Sequence, residues 1–269
     1  MLCLSSILAQ EKKTLQISRT DNPPKIDGVL DDAAWENAME AKDFTQFRPT
    51  MGVAEKDFQK TVVKMTYDND AIYIAAYLYD KPELIMKQVT SRDNFGQNDF
   101  FLVVLNPNND AQNDTELVVF PTGTQADAIA NPSNGEDFGW NAVWDSAVKI
   151  VDDGWIVEMK IPYAVLRFSN QEEPTWGLQF HRQFRQTREQ YTWNPLDITK
   201  GNIGLYHGEL KGLKDIEPPT RLSFYPFAST LINTFDGKTT DDYSLGLDVK
   251  YGISENFTLD MTLIPDFSQ

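Results

Sequence analysis

A chain of 269 residues with 40 acidic against 24 basic side chains carries a formal charge of −16, which excludes binding to nucleic acid or to an anionic membrane surface by charge. Its single cysteine, Cys3, excludes an internal disulfide framework and a cysteine-built zinc site. The length suffices for one large β domain, or for a domain and part of another.

Leu2 to Ala9 is a short apolar run ending in a small residue, so residues 1–9 read as the remainder of a secretory signal peptide cleaved after Ala9. No run approaches the roughly 18 apolar residues of a membrane helix, which leaves strands as the means of crossing a bilayer. Farther on, Ile26 and Leu30 flank Asp27-Gly28, a turn pair. Asp31 is placed as an N-cap, and Ala33, Ala34, Trp35 and Ala38 read as one or two helical turns with Trp35 inward. The string from Ile26 through Asp27, Gly28, Leu30 and Asp31 to Trp35 resembles the opening signature of family 9 carbohydrate-binding modules. That resemblance implies a β-sandwich and a sugar ligand.

Periodicity along the chain is that of β structure. Thr61–Tyr67 and Ala71–Tyr79 form a predicted hairpin over Asp68-Asn69-Asp70, and Phe100–Leu105 with Glu116–Phe120 form another over Asn106 to Asp110. Ser146–Val151, Trp155–Ile161, Thr175–Phe184 and Ile203–Leu210 are further predicted strands, with short helical pieces at Glu83–Lys87 and Tyr163–Leu166. So many short strands with Asp, Asn, Gly and Pro turns predict an all-β fold, an antiparallel β-sandwich over residues 22–215.

At Glu217-Pro218-Pro219-Thr220 the pattern breaks, because a double proline cannot continue a sheet interior. Beyond it Arg221–Leu231, Tyr243–Tyr251 and Phe257–Leu263 read as long strands, the last two alternating apolar and polar residues as outer-membrane barrel strands do. A soluble antiparallel sheet with one wet face fits the same pattern. Three strands cannot close a barrel, so residues 219–269 are expected to be the start of a truncated one.

Gly154-Trp155-Ile156-Val157-Glu158, Ile161-Pro162 and Leu166-Arg167-Phe168 are similar to a larger exported family that joins a family-9-like module to a predicted outer-membrane β-barrel. Trp176-Gly177, Arg182, Arg185, Glu189 and Trp193 continue the similarity, as do Val249 to Ile253, Thr258 to Asp260 and Pro265 to Phe267. It implies an exported protein of the cell outer membrane whose partners are its own barrel, the membrane and a glycan.

A sugar site needs flat apolar faces and polar groups that fork onto hydroxyls. Trp35, Trp155 and Trp176 lie in patterned segments and read as core. Trp140, Trp144 and Trp193 lie among Gly, Asn, Asp and Pro, where platform and packing roles are both open. In family 9 modules two tryptophans sandwich the sugar, and the resemblance places Trp193 at the second. The first falls near Phe95, which would stand in as the platform. The family's polar sugar contacts fall near Leu102 and Val118–Val119, which are apolar here. Arg92 and Asp99 are the expected polar partners.

Arg92, Asp93, Asp99, Asp127, Asp145, Glu158, Arg167, Arg182 and Arg185 recur at predicted strand ends. Either they line a polar pocket or they form Arg–carboxylate staples at the sandwich edges. Structural calcium is the one candidate cofactor, at Asp68 and Asp70 or at Asn108 and Asp110, where oxygen ligands cluster; the same residues also suit turns for conformational reasons. Catalysis has little support. His181 and His207 have no triad neighbours, and the spacing of Asp99, Glu116, Asp127 and Glu158 selects no glycosidase pair. The expected function is non-catalytic glycan capture. A plug or docking domain for the barrel that binds no sugar, and an accessory to glycoside hydrolysis in carbohydrate catabolism, are the alternatives.

Overall fold

The structure is a computed structural model that describes residues 12–220, 222–253 and 257–263. The expected signal-peptide remainder at 1–9 and the stretch Pro265 to Phe267 lie outside the described residues. Two compact units are present: one runs through Leu166 and from Asn170 to Glu217, and the other holds Arg167–Ser169 and the chain from Pro218 onward.

In chain order the first unit contains β1 (Thr14–Gln16), β2 (Ser18–Arg19), β3 (Glu40–Ala41), β4 (Thr45–Arg48) and the hairpin β5 (Thr61–Tyr67) and β6 (Ala71–Tyr79). Then come β7 (Phe100–Asn106), β8 (Asp114–Val119), β9 (Gln125–Asn131) and β10 (Gly135–Asp137). The unit ends with β11 (Asp145–Val151), β12 (Gly154–Pro162), β13 (Trp176–Phe184), β14 (Glu189–Thr192) and β15 (Gly208–Lys211). A nine-stranded sheet runs β1-β15-β13-β7-β8-β9-β10, with β14 beside β13 and β4 beside β14. A six-stranded sheet runs β11-β12-β6-β5-β2, with β3 also on β5. The fold is all-β, and the described helical segments are single 3₁₀ turns.

Apolar inner faces drive the two sheets together. Phe101 and Phe180 stack at 5.9 Å, Phe44 lies 6.4 Å from Phe180, and Trp155 and Trp176 are fully buried. Arg182 crosses this interior from β13. Its guanidinium donates to the carbonyls of Lys60 (3.0 Å) and Tyr79 (2.7 Å) and to Thr61 Oγ1 (3.2 Å), and it lies 4.2 Å over the Phe184 ring. At Arg182 the expected Arg–carboxylate staple is instead an Arg–carbonyl one, because the Lys60 and Tyr79 carbonyls lie within its reach. Burial lowers the Arg182 pKa to about 10, while Asp80, Glu55 and Asp99 help to hold the charge.

The opening signature closes over the six-stranded sheet. Glu158, on β12 and fully buried, accepts from Asp27 N (3.0 Å), Gly28 N (2.8 Å) and Trp35 Nε1 (3.1 Å). Gly28 sits at φ +81°, and a Cβ there would meet Lys149 Cβ at 3.2 Å, so the turn requires glycine on both counts. Trp35 packs with Ala71, Tyr73 and Ala75, and Ile26 and Leu30 pack alongside. The helix expected here is one 3₁₀ turn, Ala33–Trp35, preceded by Asp32 rather than Asp31 at the cap position. The Asp32 carboxylate instead accepts from Lys25 N (3.2 Å), which leaves the turn without a side-chain cap. The expected strand 203–210 begins as a 3₁₀ turn, Ile203–Tyr206, because the Asn202 side chain accepts from Gly204 N (2.9 Å).

The second unit contains an antiparallel meander of β16 (Leu222–Phe235), β17 (Lys238–Gly252) and β18 (Thr258–Leu263). Register places Leu222, Tyr251 and Leu259 in one row and Phe224, Val249 and Met261 in the next, on a common face that includes Leu245 and Tyr243. Ser229, Ser244, Asp248, Lys250 and Asp260 fall on the other face. Phe224 (58% exposed), Tyr243 (77%) and Leu245 (68%) leave the apolar face largely uncovered.

Candidate functional site

Because Phe101 and Phe180 point into the core, Phe100, Leu102 and Val104 of β7 lie on the outer face of the nine-stranded sheet. Antiparallel register extends that face in rows. His181, Leu102, Val118 and Ala126 form one row, and Gln179, Val104, Glu116 and Ala128 form the next. Leu102, Val104, Val118, Phe120 and Ala126 make a small buried cluster, against which partly buried Phe95, Phe100 and Phe138 pack. Phe95 meets Phe100, Phe120 and Phe138 edge-on at 5.6, 5.2 and 5.5 Å, a geometry that satisfies the ring quadrupoles. Toward β13 the face is closed, since Gln179 exchanges hydrogen bonds with the Asn194 backbone (2.9 and 2.8 Å). Its open part lies over β7 to β10.

The loops that carry Phe95 and Phe138 are tied together from the other side of the sheet. Asp127, on the inward face of β9 and fully buried, accepts from Arg92 Nη2, from Ala142 N (2.9 Å) and from Trp144 Nε1 (3.1 Å). Arg92 also donates to Gln125 Oε1 (2.7 Å) and the Ala142 carbonyl (3.0 Å). Asp93, at φ +63°, closes the ring by accepting from Asp127 N (3.1 Å).

Glu116 stands on the open face with 8% of its surface exposed. Desolvation first, then Glu136 and Asp114, pushes its pKa up to about 8, so the free side chain is mostly protonated at neutral pH. Its neighbour Asp114 is satisfied, bonded to His207 Nε2 (2.9 Å) and Asn106 Nδ2 (2.9 Å). His181, edge-on to Phe47 at 5.5 Å, is held neutral with a pKa near 3, by burial first and then by His207.

Of the expected ligand residues, the structure brings Phe95, Arg92 and Trp144 into one region and leaves Trp140 half-buried in the adjoining loop. Trp144, 5% exposed, serves as an anchor on Asp127 rather than a platform. Trp193 is corrected to a core residue: it is 3% exposed, lies 5.8 Å from Phe180, and has Gly208 against its ring, where a Cβ would come within 2.7 Å. No ring face is left for a sugar. Asp99 is likewise buried, accepting from Arg185 N (2.6 Å) and Met86 N (3.2 Å), so its oxygens are spent on the main chain. Burial pushes its pKa up to about 6. Phe100, Phe138 and Glu136 were missed, although Gly135 to Trp140 carried a legible signal in two acids followed closely by two aromatic residues.

The calcium donors fit poorly. Asp68 Oδ1 accepts from Asp70 N (2.8 Å) and Ala71 N (2.9 Å), and Oδ2 accepts from Tyr73 OH (2.8 Å), so the carboxylate is used up by its own turn. Asp110 Oδ1 accepts from Asn106 Nδ2 (3.2 Å) and Gln112 N (2.9 Å), and Asn108 is exposed beside it. Among the described residues, no three His, Cys, Asp or Glu side chains converge as a metal site requires. Asp99, Asp127 and Glu158 all hold structural hydrogen bonds.

Comparison with known proteins follows the same division of the chain. Residues 26–194 match the family described as carbohydrate family 9 binding domain-like. Residues 218–269 match a domain of unknown function (DUF5916). A family 9 carbohydrate-binding module from Caldicellulosiruptor kristjanssonii, solved with cellotriose, is 20% identical with a TM-score of 0.53; the match covers 74% of this chain and 93% of that one. A structure of such a module from the same organism with glucose is 21% identical with a TM-score of 0.54, covering 77% and 100%. No curated protein matches.

Proposed function

The chain belongs to the carbohydrate family 9 binding domain-like family, and we propose that its sandwich is a non-catalytic module that binds glycan on the open outer face of the nine-stranded sheet. The observation that carries this reading is the set of partly buried rings Phe95, Phe100 and Phe138, held over an apolar floor by loops locked through Asp127. Pyranose C–H faces stack on such rings, and the neighbouring acids Glu116 and Glu136 offer hydrogen-bonding groups for hydroxyls. The similar modules were solved with cellotriose and glucose, which makes β-glucan fragments the first ligands to try.

We place this module in an exported outer-membrane protein, with β16 to β18 as the first strands of its barrel. Support comes from β17 and β18, where an uncovered apolar face alternates with a polar one. Tyr243 and Tyr251 stand at its two ends, roughly 27 Å apart at about 3.4 Å per residue, which suits a lipid-facing band about 25 Å tall flanked by aromatic residues. Among the described residues no helix is long and apolar enough to cross a membrane.

The test is calorimetric titration of the whole chain in detergent against a glycan panel, alongside a Phe95→Ala/Phe138→Ala double variant. Saturable binding that weakens at least tenfold in the variant is the expected result. A panel with no binder would overturn the reading and favour the plug or docking domain, a role consistent with the apolar floor at Leu102 and Val118.

A further inference from the structure

We propose that the glycan taken by this face carries a free amine, its ammonium seated between Glu116 and Glu136. The inference rests on the glycan-binding reading and narrows it to amino sugars.

Glu116 is over nine-tenths buried, yet neither of its oxygens accepts a hydrogen bond from the described residues and neither is sealed from the surface. A buried carboxylate without a donor or a cation is costly, and the fold recovers none of that cost here. The other buried acids of the sandwich behave differently: Glu158, Asp127, Asp99, Asp114 and Asp80 each hold at least one donor. Among these six buried acids of the described residues, Glu116 alone accepts from no donor.

Its surroundings define what would fit. On β7 it faces Val104, on β9 Ala128, and on β13 the Gln179 amide and the neutral His181 lie in its own and the adjoining row. Glu136 on β10 and Asp114 on β8 add negative field, and the His207 imidazole is taken by Asp114. The Arg92 guanidinium is engaged by Asp127 on the reverse side. The face therefore has aromatic rings for a sugar's apolar side and an acidic end with which no cation among the described residues is paired. An ammonium brings three donors and the missing positive charge, whereas a uronic acid would add a further carboxylate to three. Two like charges and burial hold the proton on Glu116 in the empty site. An arriving ammonium favours the ionised form, so that proton leaves to the buffer as the ion pair forms.

The experiment titrates the whole chain at pH 7 with glucosamine hexamer, cellohexaose and hexagalacturonate, each in two buffers of different ionisation enthalpy. The expected result is at least a tenfold preference for the glucosamine hexamer over cellohexaose and no binding of hexagalacturonate. Proton release on binding the amino glycan should also exceed that of Glu116→Gln. In Glu116→Gln the preference should fall to within twofold, while Asp57→Asn, a fully exposed acid on another loop, keeps it. Equal affinity for the two hexamers, or a preference that survives in Glu116→Gln, overturns the amine inference while leaving glycan binding in place. Absence of binding to every glycan overturns both.

Discussion

Trp35 Nε1 donates to Glu158 Oε1 at 3.1 Å across 123 residues of sequence, and that bond explains why the chain opens as it does. The carboxylate also holds two backbone amides of the turn at Asp27-Gly28. Trp144 and Asp127 repeat the device at 3.1 Å beneath the candidate site. In both places an indole fills apolar space while its single N–H finds a buried anion.

Glu158→Ala should destabilise the sandwich by about 3 kcal/mol, because three donors lose their acceptor in the interior. Chemical denaturation with an unchanged m-value checks this. Gly28→Ala should cost at least about 1 kcal/mol, from its positive φ and its contact with Lys149.

Trp193→Ala should cost about 3–5 kcal/mol of stability, as a large core side chain does. Phe95→Ala should cost less, on the order of 1–2 kcal/mol, since its ring is only partly buried, and should fall mainly on glycan affinity. Thermal melts beside binding titrations separate the two; a Trp193 variant with native stability would contradict the core assignment.

Glu116 gives stability a pH dependence of definite sign. Its folded pKa of about 8 lies above the unfolded value, so the folded chain keeps a proton that the unfolded chain has lost. Stability should fall as pH rises from about 4.5 to about 8 and level off above, by an amount on the order of 5 kcal/mol at 1.36 kcal/mol per unit. Asp99 adds a smaller fall between about 4 and 6. Between pH 6 and 8, Glu116→Gln should lose most of the slope, which melting temperatures at the two values would show.

Asp127→Ala should loosen the loops 86–97 and 138–144 together, since one carboxylate holds both. Hydrogen exchange is the readout: faster exchange confined to one loop would show that the tie is not shared.

If β16 to β18 meet lipid, Leu245→Arg should weaken insertion into bilayers by about 2–4 kcal/mol at mid-depth, whereas Ser244→Arg on the polar face should be tolerated. Folding yields into vesicles would measure the difference.

Much of the architecture could be read in advance where alternation was strong. The β5–β6 hairpin was placed residue for residue, because Asp68 is both a turn former and the cap of its own turn. Strand β9 was hidden, since Ala126, Ala128 and Ala130 are small and weakly strand-forming, and their place in the sheet comes from pairing with β8. Trp193 misled because Asn194 and Pro195 mark a loop, while the direction of its ring is set by Phe180 and the space above Gly208, which are distant in sequence. Glu116 was visible as an acid, but its isolation depends on what β7, β9 and β10 put around it.

The parallel pair of β1 and β15, with Thr14 beside Glu209 and Gln16 beside Lys211, brings the sandwich's first and last strands together at one sheet edge. A domain whose entrance and exit are neighbours can be carried as an insert in a host protein, or re-joined and opened elsewhere, without stretching either end. Removing β1 would carry a separate liability, since it would bare β15 as a new pairing edge and invite association between copies.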